Sequence, residues 1–351
     1  MTLDTRTPVV LLTGFLGSGK TTLLRNLMAR AEWKHTAVII NELGETGLDH
    51  LLVRHVAPEV RLLQSGCVCC SVRDDLTQTL AELRVLAERG AVHFDRVIVE
   101  TTGLADPMPV MHTLATEPGM SASYRLAGVA TVVDAYNGFH TLDQHEEARR
   151  QVASADTVLL TKTDLVQAAA LERLAQRLSR MNASAPQTQV HHGALHADHL
   201  LRLETRFLAP FGKSQGNSTG LFRLGSTHAS TPRSVFTRFP SPHVGDIQTH
   251  CFAVDEPFEA ARFEHWLSLL TALRGEKLLR FKGLIHIAEH PSQPLVVHAA
   301  QHLIHPPDRL AAWPDEDRRS RLVFITQGMP RELIETTLLK YTGACATALP
   351  V

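Results

Sequence analysis

The chain has 351 residues, of which 44% are apolar and 20% charged, and a formal net charge of −1. That composition excludes a disordered chain and argues against a nucleic-acid or other polyanion binder, which carries basic excess on at least one face. No apolar run is long enough for a membrane span, the first residues lack the pattern of a secretory signal, and five cysteines are an odd count for a disulfide scaffold; no membrane partner and a reducing, cytoplasmic compartment are therefore expected.

In chain order, residues 8–12 predict a strand that runs into glycines. Residues 21–31 have helical spacing through Leu23, Leu24, Leu27 and Met28. Strands are predicted at 35–41 and 60–63, and an amphipathic helix at 73–89, with Leu76, Leu80, Leu83 and Leu86 on one face. Further strands are predicted at 94–100, 126–134 and 157–161, and a helix at 167–181. Near-continuous apolar strands separated by helices imply a mostly parallel sheet covered on both faces, the α/β class.

The pattern fades after about residue 205, and residues 212–246 are rich in Gly, Ser, Thr, Pro and His. The domains expected are 1–205, a linker or irregular crossing segment at 206–246, and 247–351. The last is read as a smaller α+β domain with an antiparallel sheet. Its predicted elements are a strand at 250–254, a helix at 257–273, strands at 278–289, 294–304 and 321–327, and a short helix at 331–340.

Gly14-Phe15-Leu16-Gly17-Ser18-Gly19-Lys20-Thr21 matches G-x-x-x-x-G-K-[ST]. In that loop the glycines let backbone N–H groups point at phosphates, Lys20 reaches the β and γ oxygens, and the Thr21 hydroxyl can ligate Mg²⁺. The following helix adds its positive N-terminal end. Strand before and helix after are the context that the motif requires.

Val97-Ile98-Val99-Glu100-Thr101-Thr102-Gly103 puts an acid at the end of an apolar strand and a glycine three residues on. Glu100 is a second candidate for Mg²⁺, and the Gly103 amide for sensing the γ-phosphate. Thr161-Lys162-Thr163-Asp164 resembles the N-K-x-D guanine signature of GTPases. An Asp carboxylate there accepts from two donors on the guanine edge, and the Lys stem stacks on the base. Lys162 stands out because the chain has only seven lysines, two of them in nucleotide motifs. Thr161 replaces the usual Asn, which ties the base loop to the phosphate loop, and this predicts less tight nucleotide binding rather than a different base.

Gly66-Cys67-Val68-Cys69-Cys70 lies between a predicted strand and a predicted helix. Thiolates are soft ligands that favour Zn²⁺ or Cu⁺ over Mg²⁺. Cys67 and Cys69 share a side of an extended chain, and Cys70 joins them if the backbone turns. Three ligands with an open fourth position suit transfer of an ion, whereas structural zinc is normally enclosed by four. The phosphate loop, Asn41-Glu42-Leu43-Gly44-Glu45, the cysteines and Glu100 all follow strands, so they are expected at one end of the sheet.

These segments together resemble the CobW-type metallochaperone GTPases, relatives of the urease and hydrogenase nickel-insertion GTPases. The resemblance rests on Gly14 to Thr22, Asn41 to Glu45, Gly66 to Cys70, Glu100 to Pro107 and Thr161 to Asp164. It implies a P-loop NTPase domain in which Gly14, Gly17, Ser18, Gly19, Lys20, Thr21, Thr22, Gly103, Thr161, Lys162 and Asp164 bind GTP or GDP. Lys20 and Glu100 serve hydrolysis, which is mainly electrostatic and slow on its own. It also implies Zn²⁺ at Cys67, Cys69 and Cys70, with Glu42 as an additional ligand, passed to a client metalloenzyme. A homodimer across the nucleotide follows only by analogy.

Other readings stay open at this point. One is a nucleotide-binding metal buffer or sensor with little turnover. Another is cobalt or iron insertion, in cobalamin synthesis or nitrile hydratase activation. A third is an ATP-using small-molecule kinase. His191, His192, His196 and His199 have metal-compatible spacing but read mainly as solvated surface. His286, His298, His302 and His305 either line a client or metal surface or face solvent.

Overall fold

In the computed structural model the described residues are 5–41, 60–63, 71–190, 195, 200, 203, 247–344 and 346–349. Expectations for Glu42, for Cys67, Cys69 and Cys70, for 206–246 and for His191, His192, His196 and His199 lie outside them.

The strands β1 (Thr7–Gly14), β2 (Thr36–Asn41), β3 (Val60–Leu63), β4 (Arg96–Glu100), β5 (Tyr124–Asp134), β6 (Thr157–Thr161) and β7 (Gln187–Gln189) form one seven-stranded sheet. Its order is β3-β2-β4-β1-β5-β6-β7, and every pairing is parallel. Helices α1 (Lys20–Met28), α2 (Ser71–Glu88), α3 (Met108–Thr116), α4 (Pro118–Ser121), α5 (Gly138–Gln144), α6 (Glu146–Ser154) and α7 (Ala168–Met181) lie among the strands in sequence. Strand β1 shows why the expected class is α/β. Its Val10 and Leu12 belong to the core under α1 with Leu23, Leu24 and Leu27, whereas Val9 and Leu11 join Leu76, Leu80 and Leu83 of α2. Both faces of the strand are therefore buried, which removes the alternation that a half-exposed strand shows.

Helices α3 to α6 are not among the elements predicted from spacing. For helix α6 the reason is composition: its sequence Glu-Glu-Ala-Arg-Arg-Gln-Val-Ala-Ser has few apolar residues, and two of its buried positions are Gln151 and Ser154.

The C-terminal sheet has the order β11-β10-β9-β13-β8-β14, with β12 beside β10. Its strands are β8 (Ile247–Val254), β9 (Leu278–Ile285), β10 (Leu295–Ala300), β11 (Leu303–Ile304), β12 (Asp308–Arg309), β13 (Ser320–Gln327) and β14 (Ala346–Leu349), all paired antiparallel. The expected strand at 294–304 is two strands, because Gln301 adopts φ 52° and turns the chain into a hairpin. Helices α8 (Ala260–Arg274) and α9 (Arg331–Thr342) supply Trp266, Leu270, Ile334 and Leu338 to a core with Phe252, Phe281 and Phe324.

The sheet packs on the first domain, where Ile247, Leu279 and Ile325 meet Ala153 of α6. At this junction Asp156, 5% exposed, ion-pairs with Arg280 and, at 2.7 Å, with Lys282. Its Oδ2 also accepts from the Val129 amide at 2.8 Å. Burial alone would raise the Asp156 carboxyl, but the two cations hold it down to about 2. Such a buried cluster is weak evidence of net stabilisation, yet removing one partner typically costs about 3–5 kcal/mol.

Of the C-terminal histidines His302 is exposed, whereas His286, His298 and His305 are half-buried. His298 pairs with Lys282 in register, and burial with the Lys282 and Arg280 charges lowers it to about 3. Burial and Arg280 lower His305 to about 4. His302 Nδ1 lies 2.8 Å from Thr271 O.

Both folded values lie below the ordinary histidine value of 6.5. The unfolded chain therefore binds more protons below that pH, and stability falls as pH drops from 6.5 toward 3. Chemical denaturation at a series of pH values is expected to show this slope, and His298→Gln to flatten it. An equal slope in the variant would count against the assignment.

Candidate nucleotide-binding site

Parallel pairing places the C-terminal ends of neighbouring strands side by side. In register, Leu12 of β1 lies beside Glu100 of β4, Gly14 beside Val132 of β5, and Asp134 of β5 beside Thr161 of β6. The phosphate loop, Glu100, Asp134 and the Thr161 turn therefore share one edge. Asn41 pairs with Leu63, so β2 and β3 end on the same edge. The thiols and Glu42 themselves lie outside the described residues.

The loop turns sharply off β1. Gly14 has φ +144°, and a Cβ there would lie 2.3 Å from Val132 O. Gly19 is the N-cap of α1, and its carbonyl accepts from the Leu23 amide. Lys20, 8% exposed, donates from Nζ to Gly14 O at 2.8 Å and Phe15 O at 3.2 Å. The ammonium thus lies across the mouth of its own loop. Gly17 and Ser18 complete the loop, Ser18 Oγ is buried with no hydrogen-bond partner, and Thr22 is exposed on the first turn of α1.

Thr21 Oγ1 donates to Glu100 Oε1 at 2.8 Å, across 79 residues of sequence. Two hard oxygen groups, one anionic and one neutral, are thereby brought together beside the loop. That donor set fits Mg²⁺, which takes one or two carboxylate or hydroxyl ligands besides phosphate and water. Behind them Thr101 Oγ1 donates to Thr13 Oγ1 at 2.8 Å and the Thr101 amide to Leu12 O at 3.0 Å, which pins the strand end. Gly103 then packs on the phosphate loop: a Cβ there would lie 2.6 Å from Leu16 N. Only glycine allows this approach, so Gly103 stands next to the loop with no side chain in between.

The Thr161 turn is bonded directly to the phosphate loop. Thr161 Oγ1 donates to Ser18 O at 2.7 Å, a buried bond across 143 residues. The threonine therefore ties its turn to the phosphate loop. Lys162 takes a left-handed conformation, φ 54°, and its Nζ lies 2.7 Å from Asp134 Oδ2. Burial raises the Asp134 carboxyl, but hydrogen bonds from Lys162, Asn137 and Tyr136 outweigh it and hold it below the usual carboxylate range. Asp164 is exposed on the following turn (Thr163–Leu165).

Asp134 and Gln151 belong to this site and have no motif in the sequence that marks them. Asp134 ends a strand, as Glu100 does, and that position is the one signal available. Gln151 Nε2 donates to Gly103 O at 3.1 Å and Ala105 O at 3.0 Å from a helix that spacing did not predict.

Residues 8–189 match the model of the CobW/HypB/UreG nucleotide-binding domain, and residues 247–342 that of the cobalamin synthesis protein cobW C-terminal domain. Over 326 residues the chain is 34% identical to the zinc chaperone YjiA of Escherichia coli (strain K12), covering 93% of this chain and 96% of the relative. It is 30% identical over 366 residues to the zinc chaperone CobW of Pseudomonas aeruginosa, covering 94% and 90%. The crystal structure of Zn(II)-bound YjiA GTPase from Escherichia coli aligns with a TM-score of 0.68 at 28% identity, covering 96% of this chain and 99% of that one. With the nucleotide-binding model matching more than half of this chain and a near full-length relative above 30% identity, the chain belongs to the CobW/HypB/UreG family.

Proposed function

We propose that the chain is a GTP-hydrolysing metallochaperone that holds Zn²⁺ as cargo and delivers it to a client metalloprotein. The observation that carries this reading is the edge on which Lys20, the Thr21–Glu100 pair, Gly103 and the Thr161–Ser18 tie stand together. The near full-length likeness to a relative named a zinc chaperone supports the cargo.

The phosphates of GTP would lie in the loop from Gly14 to Thr21, against its backbone N–H groups and the N-terminal end of α1. Lys20 would exchange its two carbonyl acceptors for β and γ oxygens, a gain in charge-assisted bonding where phosphoryl charge grows. Thr21 and Glu100 would hold Mg²⁺, which when bound would supply positive charge to neutralise the phosphates. Gly103 would offer its amide to the γ-phosphate. The Lys162 stem would cover one face of guanine, with its ammonium anchored on Asp134, and Asp164 would accept from the guanine edge. The Thr161 tie keeps base and phosphate subsites at a constant separation.

The cargo site would be Cys67, Cys69 and Cys70, with Glu42 as a further ligand. Asn41 follows Ile40, which pairs with Glu100, and Leu63 pairs with Asn41 one strand further out. A thiolate site reached from this edge would sense whether the γ-phosphate is present.

Three outcomes are expected. Asp164→Ala lowers GTP affinity by at least about tenfold, the scale of losing paired hydrogen bonds to a charged group, and leaves weak ATP binding as it was; a preference of the wild-type chain for ATP in competition binding would instead favour a kinase. Thr161→Val weakens GTP and GDP alike by about fivefold, one lost buried hydrogen bond, and equal affinities would show the tie to be idle. Replacing Cys67, Cys69 and Cys70 together by Ser removes one tightly bound Zn²⁺ per chain in equilibrium dialysis, and an unchanged stoichiometry would place the cargo elsewhere.

A further inference from the structure

Helix α6 lies between the loop after Glu100 and the C-terminal sheet, and it is bonded to both. On the loop side Gln151, 1% exposed, holds the carbonyls of Gly103 and Ala105 through one amide group. Its neighbour Arg150 donates to Asp106 Oδ2 at 3.2 Å. Gly103, Ala105 and Asp106 thus hang on two consecutive residues of one helix.

On the sheet side Arg280 donates to Ser154 O, at the last residue of α6. Asp156, two residues on, pairs with Arg280 and Lys282 of β9. At the other end of α6, Gln327 of β13 donates to Glu146 Oε1 at 3.2 Å. Ala153 packs between these points on Ile247, Leu279 and Ile325. Asn182 Nδ2 closes the C-terminal turn with bonds to the carbonyls of Val152, Ala153 and Ala155. The helix is therefore short, braced and attached at both ends to the second domain.

We propose that Gln151 is a positioning residue for the phosphate-sensing loop and that α6 conveys the position of that loop to β9 and β13 of the C-terminal domain. The inference rests on Gly103 as the γ-phosphate sensor. A Cβ on Gly103 would collide with the backbone of Leu16, so Gly103 stands close against the loop, and a phosphate group bound at that point either displaces it or locks it. The Gln151 amide is buried and would be left without its acceptors if the loop moved alone, which is unfavourable. The loop and α6 therefore move together, and the Ser154–Asp156 end takes Arg280 and Lys282 with it. Coupling of this kind is reciprocal: displacement of the C-terminal sheet by a bound client protein changes γ-phosphate affinity by the same factor.

The test uses the full chain with a non-hydrolysable GTP analogue and with GDP. Hydrogen exchange is followed in β9 and β13, and both affinities are measured for the wild type, Gln151→Leu and Lys282→Met. In the wild type, exchange in β9 is expected to differ between the two nucleotides. Gln151→Leu is expected to abolish that difference and to lower the ratio of analogue to GDP affinity about tenfold. Lys282→Met leaves Asp156 paired with Arg280, lies in the other domain, and is expected to change the same ratio by about threefold or more. Equal exchange in β9 with either nucleotide bound, or an unchanged ratio in both variants, overturns the proposal. Should Gln151→Leu not fold, the wild-type exchange and the Lys282→Met ratio decide it. A wild-type chain that binds neither nucleotide overturns the proposed function instead.

Discussion

Parallel pairing along β3-β2-β4-β1-β5-β6-β7 is the constraint on which the rest depends. A parallel strand cannot return through a tight turn, so each connection crosses over the sheet and each strand points the same way. Every loop that leaves a C-terminal end then opens on one edge. Residues as distant in the chain as Thr21 and Glu100, or Ser18 and Thr161, meet there because their strands are neighbours. An antiparallel arrangement of the same strands would send alternate loops to opposite ends.

Within that edge, small contacts set the geometry. Gly103 approaches the phosphate loop so closely that any side chain would collide with its backbone. Thr161 bridges to Ser18, and Lys162 is held on Asp134, itself fastened by the Tyr136 and Asn137 amides. Each is a buried or half-buried polar contact whose partners are fully specified. Such contacts contribute modestly to stability but define orientation, because a misplaced partner is left unsatisfied away from water.

The junction between the two domains follows the same logic with larger charges. Asp156, Arg280 and Lys282 are each buried, and none would be tolerated there alone. Their pairing binds a strand of the second sheet to the end of α6, whose middle holds the loop beside the phosphate site. Burial lowers the two histidines nearby, helped by the Lys282 and Arg280 charges at His298 and by Arg280 at His305.

Much of this was legible before any coordinates. The apolar runs of β1, β2, β5 and β6 announce a sheet buried on both faces, and the Gly14–Thr21 and Thr161–Asp164 strings announce a nucleotide, because local spacing is enough to make a strand, a helix start or a phosphate loop. The resemblance built on those strings agrees with the family to which the chain belongs. Helix α6 was not legible, since it is only nine residues long and its buried face carries Gln151 and Ser154 beside small Ala148 and Ala153. Nor was the Thr161 tie, because a hydroxyl at that position has value only if Ser18 lies across from it. Gln151 meets Gly103 across 48 residues and Arg280 meets Asp156 across 124. A buried polar group gets its meaning from the partner that folding brings to it, and pairing over such separations leaves no periodic trace along the chain.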